Sequence, residues 1–357
     1  MKPLRIVPAN DTFRALGLMV EVLEDTAAGY ISGPEVNGVL PELHGLSDSV
    51  SDQVGLILES SGSSGVPKRI ELSSAALRAS ALASAERIGS GQWLLALPVN
   101  YIGGANVLIR SVVADTQPVI MNTQLPFTAE AFVRGAALMQ GPRYTSLVPA
   151  QLKRLADAAE SDAFVFSELR KFEAILLGGQ RPDWSVVESL RSKGVNVVVS
   201  YGMTETSGGC VYDGVPLAGV DVTMSEGRIA ISGSVLANNL PDPFVTSDLG
   251  EFVEGKLEVL GRADRVIISG GLKVSLDRVE EIALSLPGVV EVIACPVTTS
   301  WGESVGLVYV GSPEAEFAAL SQLGIAARPA KLLRVNQLPR LSSGKPDMQA
   351  ATKLLAD

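Results

Sequence analysis

The sequence predicts an α/β fold with a smaller α+β unit toward its C-terminal end, and three observations point that way. Between about residues 54 and 200, short apolar runs alternate with helical patterns, as strands and crossover helices do around a largely parallel sheet. After residue 215 the texture changes to polar-turned strand pairs, then to a compact mixture of strands and one amphipathic helix. At 357 residues the chain exceeds what one hydrophobic core usually supports, which makes two domains the expectation.

Taken in order, VGLIL (54–58), WLLAL (93–97), PVIMN (118–122), YTSLV (144–148), FEAILL (172–177) and VNVVVS (195–200) are the predicted strands. Between them, SSAALRASALASAERIG, FTAEAFVRGAALM and PAQLKRLADAAE have helical spacing, with Pro149 at a first helical position. Further on, VDVTMSEGRIAISGS and GEFVEGKLEVLGR are strand pairs turned at Glu226-Gly227 and Glu254-Gly255. RVIIS (265–269) is a strand, and Ser275 caps a helix whose Leu276, Val279, Ala283 and Leu286 form one apolar stripe. VVEVIACPV, VGLVYVG and KLLRV complete a small sheet.

Composition narrows the function. Hydrophobic residues make up 46% and charged residues 19%, a globular balance that argues against disorder. A net charge of -10 argues against a general polyanion or nucleic-acid binder. Any anionic ligand must be held by a local arrangement working against that field. No run approaches the roughly 20 apolar residues that span a bilayer, and MKPLRIVPANDTF lacks the apolar core of a secretory signal. Cys210 and Cys295 suggest no disulfide framework, and a single histidine, His44, excludes a multi-histidine metal site. A cytoplasmic protein is the expectation.

Three segments carry chemistry. Glu59-Ser60-Ser61-Gly62-Ser63-Ser64-Gly65-Val66-Pro67-Lys68 lies between two predicted strands. Serine hydroxyls and glycine amides wrap phosphate oxygens, and Lys68 adds charge. The Walker spacing is absent. Alone, the segment also reads as a flexible Ser/Gly linker; the flanking strands favour a structured phosphate loop. Tyr201-Gly202-Met203-Thr204-Glu205-Thr206 follows VNVVVS, where α/β ligand sites gather. Its alternative is an ordinary strand-to-loop turn. Leu338-Pro339-Arg340-Leu341-Ser342-Ser343-Gly344-Lys345 presents one lysine on a Gly-containing loop, which by itself also fits a solvated charge.

In this order and spacing the segments resemble the acyl-adenylate-forming superfamily. Ser60, Ser61, Gly62, Ser63, Ser64, Gly65 and Lys68 match its phosphate loop, with Ser64 where threonine is common. YGMTET matches its YGxTE segment, and Thr246-Ser247-Asp248 its ribose-binding segment. Gly261-Arg262-Ala263-Asp264-Arg265 matches the interdomain hinge, and Ser343-Gly344-Lys345 the catalytic-lysine loop. The resemblance implies a large N-terminal adenylate-forming domain of layered sheets and helices (1–261) and a small mobile α+β domain (262–357). It implies that Lys345 contacts substrate and α-phosphate, Thr204 binds the α-phosphate, and Glu205 holds Mg²⁺. ATP and CoA become cosubstrates. Tyr201, with Gly202, and the Gly178-Gly179-Gln180 strand end would border adenine; Asp248 would hold the ribose and Arg262 ribose or phosphate. Asp264 would be the hinge, with Gly270 and Gly271 on the face that receives CoA. Tyr201, Gly178-Gly179, Asp248, Arg262 and Gly270-Gly271 each also have a plain turn, strand-end or surface-pair reading. The usual second acidic hinge residue is Arg265 here. Only some 55 residues precede the phosphate loop, short for the family, so N-terminal structure remote from the phosphates is expected to be reduced.

The acid is addressed by Leu97-Pro98-Val99-Asn100-Tyr101-Ile102-Gly103-Gly104, which matches the family's Pro-x-x-His-x-x-Gly region with Tyr101 at the histidine position. An aromatic gate or pocket wall is expected of Tyr101, beside Gly103, Ser207 and Gly208. Nine residues on, Arg110 stands alone in the apolar stretch ANVLIRSVV. Buried, it calls for an anionic partner such as a substrate's second carboxylate; alternatively it reaches solvent from an amphipathic helix. Its spacing from Tyr101 resembles the o-succinylbenzoate–CoA ligases of menaquinone biosynthesis, which implies a small aromatic acid as substrate. Another aryl- or acyl-CoA ligase, a stand-alone adenylation enzyme and a non-catalytic nucleotide-binding regulator are the competing readings. The sequence leaves a homo-oligomer open.

Overall fold

The computed structural model describes residues 1–41, 45–60, 68–299, 302–340 and 346–356. The predicted residues Ser61, Gly62, Ser63, Ser64, Gly65 and Lys345, together with His44, lie outside the described residues. Two compact units emerge. The first comprises Met1–Thr223, Ala230–Phe244 and Glu254–Leu257, and the second Met224–Ile229, Val245–Val253 and Glu258–Asp357.

The first unit is layered α/β. A five-stranded sheet runs in the order Ser49–Val50, Lys2–Pro8, Ala28–Ser32, Leu56–Ser60, Lys68–Leu72. Lys2–Pro8 and Ala28–Ser32 are parallel, joined across the helix Thr12–Leu23. This strand–helix–strand unit is what the short N-terminal region builds. The helix packs on both strands and on the helices Ser74–Ile88 and Ile102–Val113. A seven-stranded sheet follows, in the order Val215–Pro216, Gly208–Tyr212, Val197–Met203, Phe172–Leu177, Arg143–Leu147, Gln92–Leu95, Val119–Ile120. Its central strands are parallel, as the alternating pattern predicts.

Leucine-rich strands buried on both faces hold that sheet. Ile175 and Leu177 point into a cluster with Phe132, Leu155, Leu169 and Leu190 from the flanking helices. Ala174 and Leu176, one residue out of phase, are buried on the opposite face. Each fully buried side chain of this size contributes about 1.5–3 kcal/mol. Pro149 opens the helix Pro149–Ser161, and Ser73 caps Ser74–Ile88 by accepting from the Ala76 N–H.

A four-stranded sheet follows in the order Val220–Ser225, Arg228–Gly233, Phe244–Val253, Lys256–Arg262. Its two predicted turns have φ 51° and 77° at Glu226-Gly227, and 50° and 77° at Glu254-Gly255. Positive values at both central residues make these type I′ hairpins. The later strands of the chain form a small sheet in the order Leu272–Ser275, Val266–Ser269, Gly302–Gly311, Val289–Thr299, with Pro329–Arg334 parallel to Gly302–Gly311. The helix Leu276–Leu284 covers one face through Leu276, Val279 and Ala283, and Ser275 caps it by accepting from the Arg278 N–H. The other face is covered by the helix Met348–Ala356, through Ala351 and Leu355 packed on Ile293, Cys295 and Val308.

Candidate active site

Two predicted segments meet at the carboxyl ends of neighbouring parallel strands. Val199 lies opposite Leu177, so Gly178 emerges beside Ser200, and a Cβ on Gly178 would sit 3.1 Å from the Ser200 carbonyl oxygen. Gly179 follows with φ 81°, and Gln180 is half-buried. The strand VNVVVS is longer than predicted and carries Tyr201, Gly202 and Met203 within it. The reason is a change of partner. Beyond Val199 the strand pairs antiparallel with Gly208–Tyr212, placing Tyr201 opposite Val211 and Met203 opposite Gly208. The Asp213 carboxylate marks the switch, accepting from the Val199 N–H at 2.9 Å and from Arg191 at 2.6 Å.

Thr204, Glu205 and Thr206 form one 3₁₀ turn. The buried Thr206 hydroxyl accepts from the Met203 N–H at 3.0 Å and donates to the Gly208 carbonyl at 2.7 Å. Ser207 then takes a left-handed conformation, φ 53°. Thr204 and Glu205 are half-buried on this turn, and the Glu205 carbonyl accepts from the Ala237 N–H at 2.8 Å. The strand Lys68–Leu72 packs against the same turn. Ser60 and Lys68 are cross-strand partners, so both ends of the 61–67 segment start from one hairpin neck. The neck is braced by Glu59, whose carboxylate accepts from the Tyr30 hydroxyl at 2.7 Å and pairs with Arg69 at 3.4 Å.

The acyl-side candidates gather around the helix Ile102–Val113. Tyr101 is its N-cap residue in extended conformation, half-buried, and its carbonyl accepts from the Gly104 and Ala105 N–H groups. Gly103 sits in the first turn, where a Cβ would lie 3.1 Å from Leu97. Gly208 has φ 97°, and the space a Cβ would need there is filled by the Asn106 amide. That amide donates to the Ser207 carbonyl at 2.9 Å, as does the Ser80 hydroxyl at 3.1 Å, while the Ser207 hydroxyl donates to Val235 at 2.8 Å. Ser207 and Gly208 are thus joined to the helix that Tyr101 caps.

Arg110 lies two turns further along that helix and is 6% exposed, so it does not reach solvent. Its Nη2 donates to the Tyr212 hydroxyl at 3.1 Å, and its guanidinium carbon lies 5.0 Å from the centre of the Trp93 ring. Its Nε has no hydrogen-bond partner, and no carboxylate pairs with it among the described residues. Arginine keeps its charge at any physiological pH, so this is a buried and uncompensated cation. The void beside it, about 10 Å³, has room for one water-sized group; a larger anion needs side-chain movement there. The wider recess of about 280 Å³, lined by Phe166, Ser167, Arg170 and Lys171, holds none of the candidate residues.

The remaining candidates belong to the second unit. Arg262 binds Asp264 through Nε at 2.8 Å and Nη2 at 2.6 Å, and lies 3.6 Å from Asp248. The paired guanidinium holds the Asp264 carboxyl below its usual range. Gly261 has φ 138°, and the Asp277 carboxylate, which accepts from the Arg262 N–H at 2.7 Å, lies where a Cβ would go. Arg265, the departure from the acidic hinge pattern, is clamped by Asp277 and by Glu280, the latter at 2.5 Å. Gly270 and Gly271, φ 55° and 83°, form the exposed two-residue turn between Val266–Ser269 and Leu272–Ser275.

A sequence profile described as AMP-binding enzyme matches residues 22–238. The chain belongs to that family. Over 386 aligned residues it is 36% identical to a probable 2-succinylbenzoate–CoA ligase of Mycobacterium tuberculosis, covering 100% of this chain and 99% of that one. The 2-succinylbenzoate–CoA ligase of Escherichia coli K12 is 28% identical over 260 residues, covering 66% of this chain and 54% of its own. Among solved structures, o-succinylbenzoate CoA synthetase (MenE) from Bacillus subtilis, in complex with the acyl-adenylate intermediate OSB-AMP, superposes with TM-score 0.77 at 21% identity. That match covers 98% of this chain and 88% of the other. ATP-bound MatB from Rhodopseudomonas palustris gives 0.74 at 24% identity, covering 99% and 79%. The architecture is therefore that of an adenylate-forming enzyme.

In this AMP-binding enzyme no group of three or more His, Cys, Asp or Glu side chains could hold a metal among the described residues. Mg²⁺ takes one or two carboxylates and completes its shell with water and substrate phosphates. Glu205 is the candidate carboxylate. No helix among the described residues is long and apolar enough to cross a membrane. Sequence reasoning singled out Arg110 but missed Trp93 and Tyr212 around it, and Asn106, which holds Ser207. An asparagine in an apolar helical run, at i−4 from Arg110, was the signal available for Asn106; the two aromatics look like ordinary core.

Proposed function

We propose that this chain is an ATP-dependent acid–CoA ligase converting 2-succinylbenzoate, ATP and CoA to 2-succinylbenzoyl-CoA, AMP and pyrophosphate, a step of menaquinone biosynthesis. The observation that carries the choice of acid is Arg110, a buried cation with no carboxylate of its own among the described residues. A buried charge is costly unless paired. The succinyl carboxylate of the substrate supplies the missing partner through bidentate hydrogen bonds. The full-length relative at 36% identity supports the same acid.

The chemistry follows from the residues. A substrate carboxylate is already nucleophilic near neutral pH, so it attacks the α-phosphorus of ATP without a general base, and pyrophosphate leaves. The barrier comes largely from bringing two anions together while charge builds on the leaving group. Fixed cations and donors at those oxygens lower it. Lys345 neutralises the carboxylate and α-phosphate oxygens, Thr204 donates to the α-phosphate, and Ser60–Lys68 wraps the outer phosphates. Glu205 would hold Mg²⁺, which would supply further neutralisation of the phosphate oxygens. Tyr201 and Gly178–Gln180 border the adenine, and Asp248 accepts from the ribose hydroxyls.

The thiolate of CoA then attacks the acyl carbon of the adenylate, forming the thioester as the bond to AMP breaks. In our reading the 262–357 domain turns about Asp264 between the two steps, withdrawing Lys345 and presenting Gly270-Gly271 to the pantetheine arm. Residues 1–261 keep the nucleotide and acid. In our reading the protein works in the cytoplasm, where ATP and CoA are supplied.

Pyrophosphate release with a panel of acids, followed by thioester detection after CoA is added, tests this. Release with 2-succinylbenzoate and not with benzoate is expected. Equal use of both acids overturns the assigned substrate, and silence across the panel with ATP still bound favours a non-catalytic regulator. Lys345→Ala is expected to slow adenylation by roughly 10²–10³-fold while the circular dichroism spectrum stays unchanged.

A further inference from the structure

We infer that the Tyr212 hydroxyl and the Trp93 ring are the positioning groups that aim the Arg110 guanidinium, so that Tyr212 sets selectivity for acids carrying a second carboxylate. This rests on the reading of Arg110 given above. Three elements converge on the guanidinium. Trp93, buried on the strand Gln92–Leu95, offers its ring face at 5.0 Å, and that ring is itself stacked on Tyr144 with centroids 5.3 Å apart. Tyr212, fully buried at the end of Gly208–Tyr212, accepts from Nη2 at 3.1 Å. Ser84, buried on the helix Ser74–Ile88, lies 2.9 Å from the Tyr212 hydroxyl and fixes its orientation.

Every group in this cage is neutral. The contrast with other arginines of the chain is sharp: Arg143 pairs with Glu168, Arg191 with Asp213, and Arg265 with Asp277 and Glu280. Those carboxylates cancel the charge they hold. An aromatic face and a phenolic oxygen do something different, since they orient a guanidinium while leaving its charge whole. A carboxylate in Tyr212's place would compete with the incoming acid; a phenylalanine would leave Nη2 without an acceptor. Tyr212 takes one of the two Nη2 hydrogens and leaves Nε unpaired. An incoming carboxylate would bind through guanidinium N–H groups that Tyr212 does not hold, after side-chain movement opens the site. Tyr212 touches the arginine and not the reacting atoms, so it acts through position.

Steady-state kinetics on the full-length protein test this, with Arg110→Lys, Tyr212→Phe and Ser84→Ala measured against 2-succinylbenzoate, benzoate and ATP. Tyr212→Phe is expected to raise KM for 2-succinylbenzoate roughly tenfold, about the worth of one hydrogen bond to a charged group. Its kcat and its KM for ATP are expected to change less than about twofold. Ser84→Ala, which leaves every Arg110 contact in place, is expected to shift the same KM in the same direction by a smaller factor, and stands in if Tyr212→Phe does not fold. Loss of 2-succinylbenzoate use in Arg110→Lys, with KM unmoved in both cage variants, overturns the positioning role and leaves the assigned substrate standing. An Arg110→Lys variant with unchanged KM overturns the substrate reading itself. Parallel losses for 2-succinylbenzoate and ATP mean that Tyr212 only holds the core, which also refutes the proposal.

Discussion

At Gly208 the backbone sits at φ 97°, and the Asn106 amide occupies the volume of a side chain. Gly208→Ala meets both obstacles, and the backbone conformation alone costs about 1–3 kcal/mol, to be read as a lowered midpoint in denaturant unfolding. Gly17 is the opposite case. It lies exposed within the helix Thr12–Leu23 with nothing near its absent Cβ. Gly17→Ala is expected to stabilise by about 0.5–1 kcal/mol in the same measurement. At this scale the sequence was legible where a residue contradicted its surroundings. Arg110 stood out because a charge in an apolar run demands a partner. Tyr212, 102 positions away, contradicts nothing around it, and only the pairing of distant elements reveals what it does.

Elements were legible where local chemistry decides them. Ser275 capped its helix as expected, and the two Glu-Gly pairs made their hairpins. The extension of the strand 197–203 was not, because it depends on a neighbour that changes partway along. The helix Leu276–Leu284 carries a further consequence through Glu280. Burial pushes this carboxyl up to about 7, against the opposing pull of Arg265. In the unfolded chain the same group titrates near 4.5. Between those values the folded form holds a proton that the unfolded form has released, so stability falls as pH rises from about 4.5 to 7 and is level above. Asp264, depressed by Arg262, contributes the reverse slope, present above 3.8 and lost as pH falls further. Thermal unfolding across pH 4.5–7 is expected to show the decline in the native chain and a flatter profile in Glu280→Gln. An equal slope in both would place its origin elsewhere.

For the molecule as a whole, the alternation of strands and helices gave the layered architecture, and the order of the short motifs gave the chemistry. The N-terminal strand–helix–strand unit was not anticipated, since KPLRIVP mixes charge with apolar residues and finds its place only beside Ala28–Ser32. A chain of net charge -10 that still binds ATP must do so through a few well-placed donors. Mg²⁺ and ATP at about 100 times Kd are expected to stabilise it by about 2.7 kcal/mol. Differential scanning fluorimetry would report this, and EDTA should abolish most of it. The strand that swaps neighbours at Val199 has a last implication. In the proposed site, one continuous ribbon of backbone would index adenine along one stretch and the organic acid along the next. A slip of a single residue would dislocate both ligands together. Retuning of substrate choice therefore falls, in the proposed site, to Arg110 on the helix Ile102–Val113 and to the Tyr212 and Trp93 side chains that contact it.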